Sequence, residues 1–321
     1  MAISKDGRTA YLGGNGCKVR VRDISNPDNN LFTEKSISML TSEYNVFGMG
    51  LDSTDRCWIH DGHTNQLIGF DKDLREKAIF EGICFNRNMW LIAECGFAST
   101  DATFTTSNRQ KMFWHKGKGI LSAILFGEEK EVEYADTISD SVYTRKIEAT
   151  ETEEFLVCLD SDFATFHIYD LKKQHRFGTW VYKNEQLVEP KAFSFTLSKN
   201  DKYIVIGGDH QYKGDDKKRK REAFLSLHKL NPSFELVATV KIPDIDTQLV
   251  TMCKDPESGI VFAADYSKNL LVCRTVDEKL SVIQVLKDVH VDYAFSMSSH
   301  DNRLYTCSLT QKLSAVEFTS A

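Results

Sequence analysis

Residues 1–25 read MAISKDGRTAYLGGNGCKVRVRDIS. Ala2, Ile3 and Ser4 are the end of a strand, and Lys5-Asp6-Gly7-Arg8 is a turn. Residues 9–13 form a second strand, Asn15-Gly16 a second turn, and residues 18–24 a third strand. In VRVRDI every other side chain is apolar, the period of a strand with one face buried. Gly and Asn between the runs supply the backbone angles that tight turns need. The chain therefore opens inside an antiparallel meander.

The same succession returns along all 321 residues. First strands start near 2, 46, 102, 142, 191, 248 and 293, a spacing of roughly 40–57 residues, as expected of propeller blades. The clearest copies are KAFSFTLSKNDKYIVIGG from Lys191 and QLVTMCKDPESGIVFAAD from Gln248. Val, Ile, Phe, Tyr and Thr dominate the strand runs, which suits a half-buried pleated surface. Long stretches of 3.6-residue period are nearly absent. The pattern predicts an all-β fold: a seven-bladed β-propeller of four-stranded antiparallel blades, one domain spanning residues 1–321.

Bulk composition narrows the function classes. With 40 Lys and Arg against 46 Asp and Glu, the net charge is −6, which argues against a general nucleic-acid binder. No apolar run is long enough to cross a bilayer. The N-terminus lacks the basic and apolar segments of a secretory signal, so the expected compartment is the cytosol or the nucleus. The eight cysteines are scattered through strand runs such as FLVCLD and LLVCRT, without a CxxC, and read as small hydrophobes.

Three runs carry a family likeness: NGCKVRVRDIS from Asn15, NQLIGFDKD from Asn65 and DSDFATFHIYDL from Asp160. Each ends its third strand on a residue followed by Asp: Arg22-Asp23, Phe70-Asp71 and Tyr169-Asp170. In this the chain resembles the WD-repeat β-propellers, over nearly its whole length. No Trp-Asp dipeptide or Gly-His signature occurs. The resemblance implies a rigid disc that binds protein partners without catalysis, and a ring whose last blade takes its outer strand from the N-terminal end. The seventh repeat has only three clear strands. The reading therefore predicts a last blade lacking its outer strand, in a chain that is part of a larger protein supplying that strand from upstream.

Several segments are candidates for recognition. The second-to-third-strand loop of blade five, read as residues 209–222 (DHQYKGDDKKRKRE), carries the basic run Lys217, Lys218, Arg219, Lys220, Arg221. Lys116 and Lys118 occupy the matching turn of blade three. On the map implied by the family both turns share the top face, where an acidic or phosphorylated peptide would dock; the run also suits nuclear import. Trp90, in the extra segment at residues 82–99, is a candidate interface anchor. On the opposite face, Glu128, Glu129, Glu131 and Glu133 lie near Glu148, Glu151, Glu153 and Glu154 and suggest an acidic patch.

Catalytic signals are weak. Cys57, His60 and His63 are metal-ligand types, but Cys57 and His60 point to opposite faces of a strand. No phosphate loop, nucleophile elbow or acid–base pair is present, and no metal or cofactor is expected. Two alternatives stand beside the platform reading. One is a metal-dependent hydrolase or lactonase with its site in the channel. The other is a binder of phosphate-rich ligands, nucleic acid or phosphoinositide.

Overall fold

The computed structural model describes residues 1–13, 18–26, 32–36, 46–61, 66–71, 73–80, 103–105, 111–116, 120–125, 128, 130–134, 144–160, 162–213, 219–230, 234–276, 278–290, 294–308 and 312–319. Every regular element among them is a β-strand. The first sheet holds β1 (Ala2–Ile3), β2 (Thr9–Leu12), β3 (Lys18–Asp23) and β4 (Phe32–Ser36). The second holds β5 (Val46–Leu51), β6 (Cys57–Asp61), β7 (Gln66–Phe70) and β8 (Glu76–Phe80). The third holds β9 (Thr103–Thr105), β10 (Lys111–Lys116), β11 (Ile120–Leu125) and β12 (Lys130–Tyr134). The fourth holds β13 (Thr144–Ala149), β14 (Phe155–Asp160), β15 (Thr165–Asp170) and β16 (His175–Val181).

The fifth sheet holds β17 (Lys191–Leu197), β18 (Tyr203–Lys213), β19 (Arg219–Lys229) and β20 (Leu236–Ile242). The sixth holds β21 (Leu249–Lys254), β22 (Val261–Asp265), β23 (Leu270–Val276) and β24 (Lys279–Leu286). The seventh has three strands among the described residues: β25 (Ala294–His300), β26 (Arg303–Ser308) and β27 (Leu313–Glu317). Within each sheet, strands pair antiparallel in chain order. The first strand of each sheet neighbours the first strand of the next, and β25 returns to β1. The seven sheets therefore close a ring with their first strands innermost. The molecule is a seven-bladed β-propeller whose last blade has three strands among the described residues.

The core lies in the seams between blades. Tyr11 and Val19 of blade one pack on Leu51, Ile59 and Ile68 of blade two. Phe166 and Ile168 of blade four meet Phe195, Ile204 and Phe224 of blade five. Leu225 and Leu227 meet Met252 and Ala263 of blade six, and Phe262 and Leu270 meet Met297 and Leu304 of blade seven. Ile3, Ala10 and Leu12 close the circle against Tyr305 and Cys307. Each Val, Leu, Ile, Phe or Met among these contributes about 1.5–3 kcal/mol when buried. Near-continuous apolar runs such as FLVCL and VFAA, whose successive side chains lie on opposite faces, give each blade two apolar faces for two neighbours.

One turn recurs between first and second strands. The N–H groups of Ser4, Asp52, Thr150, Ser198 and Asp255 donate to the carbonyls of Thr9, Arg56, Phe155, Tyr203 and Ile260 at 2.8–3.0 Å. Their side chains accept a second bond inside the turn: Thr9 N to Ser4 Oγ, 2.9 Å; Arg56 N to Asp52 Oδ1, 3.0 Å; Phe155 N to Thr150 Oγ1, 3.0 Å. Positive φ falls at Gly7, Asp55, Glu153, Asp201 and Gly259. These turns also touch across the seams. Lys5 N donates to Asp55 Oδ1 (2.9 Å), Glu151 N to Asp201 Oδ1 (3.0 Å) and Ser299 Oγ to Asp255 Oδ1 (2.6 Å). The Asp residues after the third strands cap the following turn: Asp71 Oδ1 accepts from Arg75 N (2.8 Å) and Asp170 Oδ1 from Lys173 N (2.8 Å).

A second irregularity repeats in the first strands. Register slips by one residue between Val46 and Gly48, Thr144 and Lys146, Ala192 and Ser194, Leu249 and Thr251, and Ala294 and Ser296. The inserted residues are Phe47, Arg145, Phe193, Val250 and Phe295. Such bulges bend a strand and re-aim a side chain, here on the strands nearest the axis.

The seam between blades four and five carries a directional polar chain. His228 Nδ1 donates to Phe234 O (3.2 Å), and Nε2 accepts from Ser226 Oγ (3.2 Å). Ser226 then accepts from the Tyr182 hydroxyl (3.1 Å), which accepts from Asn184 Nδ2 (3.4 Å). This order of donors is the one a neutral ring allows. Burial pushes His228 down from the ordinary 6.5 to about 4, and burial likewise pushes Tyr182 up to about 12.

Two predictions follow from this packing. A Cβ at position 208 would overlap the carbonyl oxygen of Lys191 on the paired strand, so Gly208 is required by close approach. Gly208→Ala should cost about 2 kcal/mol or more in chemical denaturation; an unchanged midpoint would contradict the register of β17 on β18. For His228 the unfolded chain takes up the proton first as pH falls. The neutral ring's contribution is therefore complete above about pH 6.5 and lost on the way to about pH 4. Between about pH 7 and about pH 4.5 the wild type should lose about 2–3 kcal/mol that His228→Gln does not; equal losses would contradict the buried neutral ring.

Candidate partner-binding surface

The hairpin β18–β19 is unlike the rest of blade five. Both strands run 11 residues, against 7 for β17 and β20. Pairing continues through Gln211↔Arg221, Tyr212↔Lys220 and Lys213↔Arg219. The sequence reading of residues 209–222 as a loop is corrected here: strand pairing extends through 213 on one arm and from 219 on the other. Among the described residues no outer strand pairs with the projecting part, and its sequence carries no apolar alternation to reveal it as strand.

The base of the projection is ordered by charge. His210 Nε2 lies 3.0 Å from Glu222 Oε2 across the pair, with His210 buried. Arg221 Nη1 lies 3.5 Å from Asp209 Oδ2 and 3.5 Å from Gln248 Oε1 of blade six. Burial holds the Asp209 carboxyl above its usual range, while Arg221, Lys191 and His210 pull it back. Gln211 N donates to Val188 O (2.9 Å), tying the hairpin to the link between blades four and five. Above this base the surface presents Tyr212, 39% exposed, with Val188, 58% exposed, beside the same link. Lys220 and Arg221 are also exposed.

The other sequence candidates are placed less fully. Arg219 starts β19 and Lys116 ends β10, where it pairs with Ile120. Trp90, Lys118, Lys217 and Lys218 lie outside the described residues, as does His63. Cys57 is fully buried in β6, and burial pushes its thiol well up. Among the described residues no group of three or more His, Cys, Asp and Glu comes together as a metal set.

The acidic face reads differently in three dimensions. Glu148 is not in a turn: it is buried on β13, and its Oε1 accepts from Thr196 Oγ1 (3.1 Å) and Leu197 N (3.0 Å). Glu153 pairs with Lys111 at 2.8 Å and Glu151 with Lys254 at 3.0 Å. These three carboxylates tie blade four to blades five, three and six and are engaged by internal partners.

Sequence reasoning also missed a charged group beside the axis. Arg145, Lys146 and Glu148 are all buried on the innermost strand of blade four. The Arg145 guanidinium lies 5.1 Å from the ring centres of both Phe163 and Phe193, and its Nε donates to Phe193 O (2.6 Å). Lys146 Nζ donates to Met252 O of blade six (2.5 Å), 5.6 Å from the Phe195 ring and 3.9 Å from Glu148 Oε2. Three charges in the six residues TRKIEA were the available signal.

No family model matches the sequence, and no curated protein is significantly similar to it. Solved structures do match. A chain of Kuenenia stuttgartiensis hydrazine synthase superposes with a TM-score of 0.72 at 9% identity, covering 100% of this chain and 95% of that one. The WD40 repeats of RRP9 superpose with a TM-score of 0.67 at 11% identity, covering 95% and 84%. No helix among the described residues is long and apolar enough to cross a membrane. Seven radial sheets and these two likenesses together establish the fold as a β-propeller of the kind built by WD40 repeats.

Proposed function

We propose that the protein is a non-catalytic platform for protein partners, with recognition centred on the blade-five hairpin. The observation that carries this reading is the projection of β18–β19 beyond its sheet, with Tyr212, Lys220 and Arg221 exposed on it. A rigid aromatic beside guanidinium and ammonium groups suits a peptide with acidic or phosphorylated side chains next to an apolar one. The likeness to the RRP9 WD40 repeats supports a propeller scaffold for such a loop. In the sequence, Lys217, Lys218 and Arg219 continue the basic run, and Lys116, Lys118 and Trp90 are further candidate contacts. The reading places the protein in the cytosol or nucleus.

Capture from a cell lysate tests this. The wild-type chain is compared with a variant carrying Ser at Lys217, Lys218, Arg219, Lys220 and Arg221. A protein retained by the wild type and lost by the variant is expected, with retention weakening as salt rises. Equal recovery by both would overturn the role of the hairpin.

A further inference from the structure

The hairpin of blade five reaches beyond both strands that flank it. Pairing of β17 on β18 ends at Lys191↔Asp209, and pairing of β20 on β19 begins at Ala223↔Ile242. The two arms differ past these points. On the β18 arm, Gln211 N is already taken by Val188 O (2.9 Å) in the link from blade four. On the β19 arm, Ala223 N donates outward to Ile245 O (2.9 Å). Antiparallel alternation turns the backbone groups of Arg221 and Arg219 to that same side, away from β18. No strand pairs with them among the described residues. The open edge is short: it runs along residues 219–221, and the link at Ile245 closes it at Ala223.

The chemistry of this edge is one-sided. Lys220 and Arg221 are exposed, and Arg221 reaches Asp209 with its side chain still 50% exposed. The acids of the hairpin base are engaged from within it, Glu222 by His210 at 3.0 Å and Asp209 by Arg221 at 3.5 Å. Asp244 and Asp246 are exposed on either side of Ile245, at the closed end. Lys220 shares a face with its pair partner Tyr212, and Arg221 points to the other face. Basic side chains keep an edge from pairing with a second copy of itself or with an apolar strand. They admit a strand of opposite charge, because opposite charges on directly facing residues stabilise the pair. An occupant must meet a cation on each face, which in an extended segment means consecutive acidic residues.

We infer that the β19 edge at residues 219–221 takes up an extended acidic segment of a partner protein as an added antiparallel strand. Three consecutive acidic residues of that segment face Arg221, Lys220 and Arg219. The first and third exchange backbone bonds with Arg221 and Arg219, so main-chain pairing supplies affinity and the basic side chains supply selectivity. This inference rests on the platform reading and gives its hairpin a mode of recognition: strand addition, not contact by side chains alone.

The probe is the capped peptide Thr-Val-Glu-Glu-Glu-Val-Thr. At low salt, amide exchange at Arg219 and Arg221 should be fast in the protein alone and slow by about tenfold or more with saturating peptide. The peptide with Lys in place of all three Glu should give no slowing. N-methylation of the first and third Glu keeps every charge but removes the two donors that face Arg221 and Arg219. That peptide should bind about tenfold more weakly or worse and should leave exchange fast. Slow exchange before peptide is added, no response to the acidic peptide, or equal binding of its methylated form would each overturn the inference. Such a failure with capture by the hairpin intact strikes the strand addition alone, whereas equal capture by the wild type and the five-fold Ser variant strikes the hairpin reading itself.

Discussion

A ring of sheets covers all its faces only when the first sheet packs on the last. Here that contact is made by Ile3, Ala10 and Leu12 of blade one against Tyr305 and Cys307 of blade seven, with Leu313 beside them. The closure is made by side chains across a seam; none of the described strands is shared between the two sheets. His300 sits against Gly7 at one end of the seam, where a Cβ on residue 7 would meet the imidazole. Opening this one seam would expose two apolar faces at once. That cost keeps the other blades in place, because each is held only by its two neighbours.

Charge does different work at different radii. Near the axis, Arg145, Lys146 and Glu148 are buried with donors and acceptors from blades five and six, so they bind three blades together. Losing one partner of such a group costs more than the pair contributes, because a buried charge would be left uncompensated. The turns between first and second strands add bonds across the seams. On the blade-five hairpin, Lys220 and Arg221 are exposed to solvent, where a charge adds little to stability. The same residue types thus hold the disc at its centre and stand exposed at its surface.

Much of the architecture was legible in the sequence. Alternation in KAFSFTL gives β17, and Asp71 and Asp170 mark the ends of third strands because their carboxylates close the next turn. The three strands described in the last blade were also legible, as three apolar runs. The bulges at Phe47, Arg145, Phe193, Val250 and Phe295 were not, since a one-residue slip in pairing leaves no mark on composition. The extended hairpin was hidden because a strand without a buried face has no alternation. Glu148 was misplaced on the surface because only its neighbours in space, Thr196 and Leu197, explain its burial.

Closure by the seam between blades one and seven is most directly tested by Tyr305→Ala, with amide exchange read in blade four. Residues 156–159 lie across the ring and touch none of the altered side chain's neighbours within that cluster. If the seam holds the whole ring, the truncation should lower the opening free energy of those distant amides by about 2 kcal/mol or more, in step with blades one and seven. Loss of protection confined to blades one and seven, with blade four unchanged, would contradict a ring held shut at that seam.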